Sequence, residues 1–198
     1  NSSYLEQMLE QLLDEDDSLE ITRFLRAVDV RIDGFRVEKA PEWRGQRVFV
    51  KHEVDGKGYE LRLSEESAGT QKLMGLASFL LAALERGGTV VVDELDAKLH
   101  PKLLRYVILL FKDPEVNKSG AQLIFSSQDV STMRNDVFRR DEIWFAARGE
   151  WEASQLWSLA DIHEANGNLV SKNAAFDKQY LSGRYGADPY LTRIEEWD

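Results

Sequence analysis

Apolar positions in the middle of the chain switch between a helical and a strand spacing. Residues 70–86 are nearly all apolar and stop at Gly87-Gly88, which predicts a long helix that is buried on most sides. The β-branched run over 89–92 follows, and a second apolar run over 123–125 comes after a predicted helix at 101–112. Short runs of this kind are typical of central strands that are covered on both faces. Their order predicts an α/β layered fold with a parallel sheet.

Alternating segments flank this middle part. Residues 47–54 and 59–63 alternate in strand fashion around the turn Asp55-Gly56-Lys57-Gly58. Residues 142–148 and 151–158 alternate in the same way. Both pairs predict antiparallel hairpins. The predicted architecture is therefore a parallel core with flanking β-hairpins.

Residues 3–28 have a helical pattern. Leucines recur at three- and four-residue spacing, and Ser18 is a candidate N-cap for a second helix. That second helix would contain Leu19, Ile21, Phe24 and Leu25. This region is either the end of a long helical arm or an amphipathic helix packed on its own domain. We therefore divide the chain into a helical arm or connector over 1–45 and a domain over 46–198.

Composition narrows the class of protein. The chain has 198 residues, of which 43% are hydrophobic and 30% charged, and this is ordinary for a globular domain. It contains no cysteine, which excludes disulfides and thiolate metal sites and fits a cytoplasmic protein. No apolar run approaches the length of a membrane span. The net charge of −10 repels phosphate backbones, so nucleic acid would need a local basic patch or another domain.

The strongest chemical signal is the acid pair Asp93-Glu94 at the carboxyl end of the predicted strand 89–92. Ligands bind at such strand ends in open α/β sheets. Asp93 suits Mg²⁺, which takes few carboxylates and keeps several waters. Glu94 would then orient an attacking water. The alternative is that both acids end the strand as solvated side chains.

A small-residue turn opens the long helix. Ser67-Ala68-Gly69-Thr70 would present free backbone N–H groups and two hydroxyls, and Gly69 would allow a phosphate close to the backbone. The same residues could form an ordinary helix cap. Downstream, Asp96 precedes Leu99-His100-Pro101, and Gln128 follows the second buried strand. In a parallel sheet Gln128 would lie beside the acids.

This order of motifs resembles the C-terminal lobe of ABC-type ATPases, as in SMC and RecF-like heads. More specifically, the chain resembles bacterial AAA-family ATP/GTPases linked to abortive infection and phage defence. The runs that carry this resemblance lie at 66–73, 93–101, 140–145, 158–161 and 180–186. The resemblance implies a layered half-head of the P-loop NTPase type, with an N-terminal helical arm.

The resemblance also implies roles for individual residues. The signature and D-loop positions, which would contact nucleotide, are Ser67, Gly69, Thr70 and Asp96. The catalytic positions are Glu94 and Gln128, and the metal ligand is Asp93. The implied cofactors are ATP and Mg²⁺. The implied partners are a second copy across the nucleotide, a P-loop lobe of the same protein, and an effector protein.

Two departures from the family pattern matter. The switch residue is usually His, whereas Gln128 can hydrogen-bond a phosphate or a water but cannot become a cation. The sequence also has no Gly-x-x-x-x-Gly-Lys-Ser/Thr, and its one Gly-Lys pair, Gly56-Lys57, lies in a predicted hairpin turn. We expect the P-loop upstream of Asn1, since the chain begins with neither Met nor a leader, and we expect this chain alone to be inactive.

Three functions remain open from the sequence. The first is an ATP-hydrolysing head that dimerises around Mg-ATP, in a bacterial phage-defence or DNA-maintenance system. The second is a non-hydrolysing, nucleotide-gated scaffold that assembles with an effector. The third is a metal-dependent nuclease, which the lack of a second Asp-x-Asp cluster at a strand end disfavours.

Overall fold

The computed structural model describes residues 15–28, 30–38, 47–148, 153–164 and 166–187. The chain divides into two compact units, Asn1–Gln128 and Asp129–Asp198. The domain boundary expected after residue 45 stays a prediction, and the helix expected before residue 15 lies outside the described residues. Among those that are described, no helix has the length and apolar character needed to cross a bilayer.

Helix α1 spans Glu15–Ala27 and buries one face made of Ile21, Phe24 and Leu25. The predicted N-cap at Ser18 is wrong, because the helix continues upstream through acidic residues, which favour a first helical turn. The Ser18 carbonyl instead accepts a hydrogen bond from the Thr22 hydroxyl at 2.8 Å. The helix packs against the long helix Ala68–Arg86 of the same unit. The described part thus matches the packed-helix interpretation, and an arm beyond it stays a prediction.

An antiparallel sheet of three strands follows α1. Strand β1 spans Gly34–Glu38, β2 spans Arg47–Val54 and β3 spans Lys57–Arg62. The predicted hairpin is confirmed as β2 and β3, and both residues of its turn, Asp55 and Gly56, have positive φ. The sequence reasoning missed β1, which pairs with β2 and adds a third strand.

The second sheet of this unit is a parallel pair. Strand β4 spans Thr89–Val92 and β5 spans Gln122–Phe125, with helices α2 (Ala68–Arg86) and α3 (Pro101–Lys112) before and between them. One face of the pair packs on these helices through a small apolar cluster. The core of this cluster consists of Ala83, Leu84 and Ala121. The parallel arrangement predicted from the sequence is therefore confirmed.

The opposite face of the same pair is open. Val91 is 73% exposed and its cross-strand neighbour Ile124 is 56% exposed. The prediction that these strands are covered on both faces is wrong for this chain. In the part of the chain that is described, the sheet has only these two strands, and helices pack on one face alone.

The second unit has a core of its own. Strands β6 (Trp144–Arg148) and β7 (Ser154–Ser158) form the predicted antiparallel pair, and α4 spans Phe176–Leu181. The Phe145 ring stacks on Tyr180 with a centroid distance of 5.7 Å. Burial raises the pKa of the nearby Tyr185 to about 12. These contacts give the unit an aromatic core.

Candidate functional site

The acid pair lies where β4 and β5 end together. Val92 pairs with Phe125, so Asp93 and Glu94 follow beside Ser126. The Ser126 hydroxyl donates to Asp93 Oδ1 at 2.5 Å and accepts from the Glu94 backbone N–H at 2.7 Å. The Leu95 N–H also donates to the Ser126 carbonyl, at 3.0 Å. Ser126 therefore ties both acids to the neighbouring strand. The sequence reasoning assigned it no role, although it is the first residue after β5.

Glu94 has a backbone conformation that is rare for its residue type. Its φ is +49°, in the left-handed region, which costs a residue with a side chain roughly 1–2 kcal/mol. The Glu94 carbonyl accepts hydrogen bonds from the Ala97 N–H, at 3.0 Å, and from the Lys72 ammonium. The next side chain, Leu95, is completely buried. These contacts hold the strained turn in place, and such strain often accompanies function.

Gln128 comes close to two of the predicted acids. Its amide nitrogen lies 3.4 Å from Glu94 Oε1, and its backbone N–H donates to Asp96 Oδ2 at 3.3 Å. The other carboxylate oxygen of Asp96 is buried and has no hydrogen-bond partner among the residues that the structure describes. The structure thus brings Gln128 beside Glu94, as the sequence suggested, and also beside Asp96. It also leaves one buried acceptor that a further donor would satisfy.

The turn at 67–70 caps helix α2. The Ser67 hydroxyl accepts a hydrogen bond from the Thr70 N–H at 3.1 Å and lies 2.8 Å from the Thr70 hydroxyl. Ser67 is therefore the N-cap of the helix. Gly69 serves a second purpose, because a Cβ placed there would lie 2.8 Å from the Lys98 carbonyl oxygen. A glycine is therefore needed for close packing within this chain, independently of any phosphate.

Lys72 lies one turn further along α2 and reaches the same region. Its ammonium donates to the Glu94 carbonyl. Burial lowers the pKa of Lys72, although the carboxylates of Asp96 and Glu94 act in the opposite direction. The sequence reasoning gave Lys72 no role, since a lysine early in a helix does not reveal what its side chain will reach.

A histidine on β2 fixes the residue that precedes the turn. His52 Nε2 lies 2.6 Å from Glu66 Oε1, and Nδ1 lies 2.9 Å from the Arg31 carbonyl. Both partners accept hydrogen bonds, so the ring donates from both nitrogens when it is protonated. Burial opposes that charge, but these hydrogen bonds outweigh it and raise the pKa of His52 above its ordinary value.

The donor set fits Mg²⁺ held by few protein ligands. In the described segments, no three His, Cys, Asp or Glu side chains cluster closely enough to hold a metal by themselves. Asp93 offers one exposed carboxylate beside the β4 tip, which suits an ion that keeps waters and takes phosphate oxygens. The Gly56-Lys57 pair lies where β2 turns into β3 rather than before a helix, so it cannot form a phosphate-binding loop.

The sequence family and the fold together define an AAA-type ATPase domain. The chain belongs to the family described as "AAA domain, putative AbiEii toxin, Type IV TA system", whose model matches residues 1–134 and so includes every predicted site residue. It also shares its fold with a solved structure described as "Structural biochemistry of ATP-driven dimerization and DNA stimulated activation of SMC ATPases". The TM-score is 0.51 at 16% identity, covering 78% of this chain and 88% of that one. Comparison with curated proteins finds no match.

The pair between His52 and Glu66 predicts a pH-dependent stability. Because the pKa of His52 is raised in the folded state, its stabilisation is complete below the ordinary histidine pKa of about 6.5 and is lost as pH rises through the higher folded pKa. The urea midpoint should therefore fall as pH rises above about 6.5. His52→Gln should remove most of that fall. The control is His163→Gln at an exposed histidine. An equal dependence of the urea midpoint on pH in wild type and His52→Gln would contradict the prediction.

Proposed function

We propose that this chain is the C-terminal part of an ATP-hydrolysing head that dimerises around Mg-ATP. The head would act in the cytoplasm, in a bacterial phage-defence or DNA-maintenance system. One observation carries the proposal: Glu94, in the turn after β4, lies beside Gln128, which follows β5, and this turn packs against the capped start of α2. The family supports nucleotide binding, and the geometry supplies groups suited to phosphate chemistry.

Each acid has a distinct role in the proposed reaction. Asp93 would hold Mg²⁺, which supplies charge neutralisation at the β- and γ-phosphate oxygens when it is bound. Glu94 would orient the attacking water through its carboxylate and accept the water's proton, a contribution of about 10²–10⁴ in rate. Gln128 contacts Glu94 Oε1 and is a neutral donor that can also reach a phosphate oxygen.

The turn at 67–70 would close the site of a second copy. Its helix N-terminus carries free N–H groups and the positive end of the helix dipole, which favour a phosphate. Ser67 and its neighbour Ala68 are exposed, so this surface is open to a partner. The solved structure of similar fold is described for ATP-driven dimerisation of SMC ATPases, which supports a homodimer of this kind.

A P-loop lobe of the same protein would complete each head. Parallel strands are normally covered on both faces, whereas the face of Val91 and Ile124 is open here. A lobe that adds strands beside β4 and β5 and packs its own elements on this face would extend the sheet and bury both side chains. It would also bring the phosphate loop that this chain lacks to the edge where Asp93 lies.

The alternative is a nucleotide-gated scaffold that turns over little and assembles with an effector protein. The neutral side chain of Gln128 favours it, because an amide cannot supply the positive charge that a protonated histidine would bring to the γ-phosphate. The scaffold would use the same nucleotide-dependent closure. Single-turnover hydrolysis by the full-length protein separates the two functions.

The role of Glu94 is tested by Glu94→Gln in the full-length protein. The substitution keeps the shape of the side chain but removes the base, so ATP binding should persist while hydrolysis falls by about 10²-fold or more. Asp93→Ala is the matched comparison and should instead weaken Mg²⁺-dependent binding. Hydrolysis by Glu94→Gln at the wild-type rate would show that Glu94 is not the base.

The role of the turn at 67–70 is tested by Ser67→Arg in the Glu94→Gln background. A long cation at this exposed cap should obstruct a partner's nucleotide site and abolish ATP-dependent dimerisation in sedimentation velocity. Ser67→Ala is the control, since it loses the same cap hydrogen bond, at a cost of about 1 kcal/mol, without adding bulk. The prediction fails if Ser67→Arg dimerises with ATP as Ser67→Ala does.

The covering lobe is tested by Val91→Ser with Ile124→Ser in the full-length protein. Burying a valine or isoleucine contributes about 1.5–3 kcal/mol, so the double variant should melt several degrees lower. The control is Val54→Ser, a valine that is 55% exposed on the hairpin and should change stability by less than about 0.5 kcal/mol. Equal melting temperatures for the two variants would argue that the open face stays open.

A further inference from the structure

Two contacts join the start of α2 to the turn that follows β4. The Lys72 ammonium donates to the Glu94 carbonyl, and Gly69 packs so closely against the Lys98 carbonyl that a Cβ would lie 2.8 Å from it. The two contacts involve the same pair of segments and lie one helical turn apart on α2. The two contacts therefore connect the start of α2 with residues 94–98.

We propose that Lys72 is a positioning residue that holds Glu94 in its left-handed conformation and couples the turn at 67–70 to hydrolysis in the same chain. The inference rests on the proposed function, in which that turn meets a partner's nucleotide. It goes beyond that function in one respect. When the turn at 67–70 of one chain meets a partner's nucleotide, that contact would control the orientation of Glu94 in the same chain.

The geometry at Glu94 explains why an anchor is needed there. A left-handed conformation is unfavourable for a residue with a Cβ and persists only where surrounding contacts hold it. Ser126 holds the Glu94 N–H, and Lys72 with Ala97 holds its carbonyl. Because both ends of the residue are fixed, the direction in which its side chain leaves the backbone is fixed as well.

A positive charge at position 72 suits this task. The ammonium lies near the carboxylates of Asp96 and Glu94, which would otherwise repel each other and the phosphates. The Lys72 side chain is partly buried, whereas the carbonyl that it binds belongs to an exposed residue. An uncharged side chain of similar length would keep the packing of the methylene groups but lose both the hydrogen bond and the charge.

The experiment compares Lys72→Met, Lys72→Arg and Lys102→Met in the full-length protein. Lys102 is exposed in the first turn of α3, which makes it the matched control. Lys72→Met should lower kcat roughly ten- to hundredfold while KM and ATP-dependent dimerisation stay unchanged, because a misplaced catalytic group affects the chemical step. Lys72→Arg should restore most of the rate, since a guanidinium can donate to the same carbonyl. Lys102→Met should match wild type.

Hydrogen exchange supplies a readout that does not depend on activity. The amides of Leu95 and Ala97 should exchange faster in Lys72→Met than in wild type or Lys102→Met, because the turn that they close has lost an anchor. If Lys72→Met fails to fold, the shorter polar variant Lys72→Gln takes its place. Unchanged exchange in the folded variant would overturn the inference.

Glu94→Gln is measured in parallel, so that a failure of the proposed function can be distinguished from a failure of the inference about Lys72. If Glu94→Gln is inactive but Lys72→Met keeps the wild-type kcat, Lys72 does not position Glu94 and only the further inference is lost. If Glu94→Gln hydrolyses at the wild-type rate, the assignment of the base is wrong and the inference falls with it. A matching loss in Lys72→Met and Lys102→Met would also overturn it, by showing a general effect of lost charge.

Discussion

The whole site depends on the parallel pairing of β4 with β5. Because Val92 is opposite Phe125, both strands end at the same edge, and the residues that follow them meet there. Ser126 then bridges Asp93 and the backbone of Glu94, and Gln128 faces the Glu94 carboxylate. A slip in this register would separate each of these pairs. The small parallel sheet is thus the frame on which the acids are placed.

Around that frame, the turn after β4 is held from two further directions. Helix α2 contacts it through Lys72 and through the close approach at Gly69. His52 hydrogen-bonds Glu66 just before the start of α2 and so connects the antiparallel sheet to that end of the helix. A strained residue such as Glu94 stays in one orientation only when its neighbours are rigid, and preorganised groups of this kind need little rearrangement during a reaction. The contacts link three elements that lie far apart in the sequence.

The small parallel sheet carries the acids at one edge and leaves one face uncovered. Val91 and Ile124 leave an apolar face uncovered, and the residues that would cradle a triphosphate are not in the sequence. These two features agree physically, since the open face lies on the same small sheet whose edge carries the acids. Carboxylates alone repel a triphosphate, so the acids can act only where a cation and a phosphate loop are supplied beside them.

The sequence by itself determined the types and the order of the central elements. Apolar spacing identified α2, β4, α3 and β5, and it placed the acid pair at a strand end, because periodicity and strand direction are local properties. The tertiary structure alone decided which side chains meet. Lys72 and Glu94 are 22 positions apart and Ser126 and Asp93 are 33 apart, so no local pattern encodes either contact. The sequence also does not determine that one face of β4 is open, because an apolar run indicates only that its residues can be buried. What buries it is decided by the elements that pack around it.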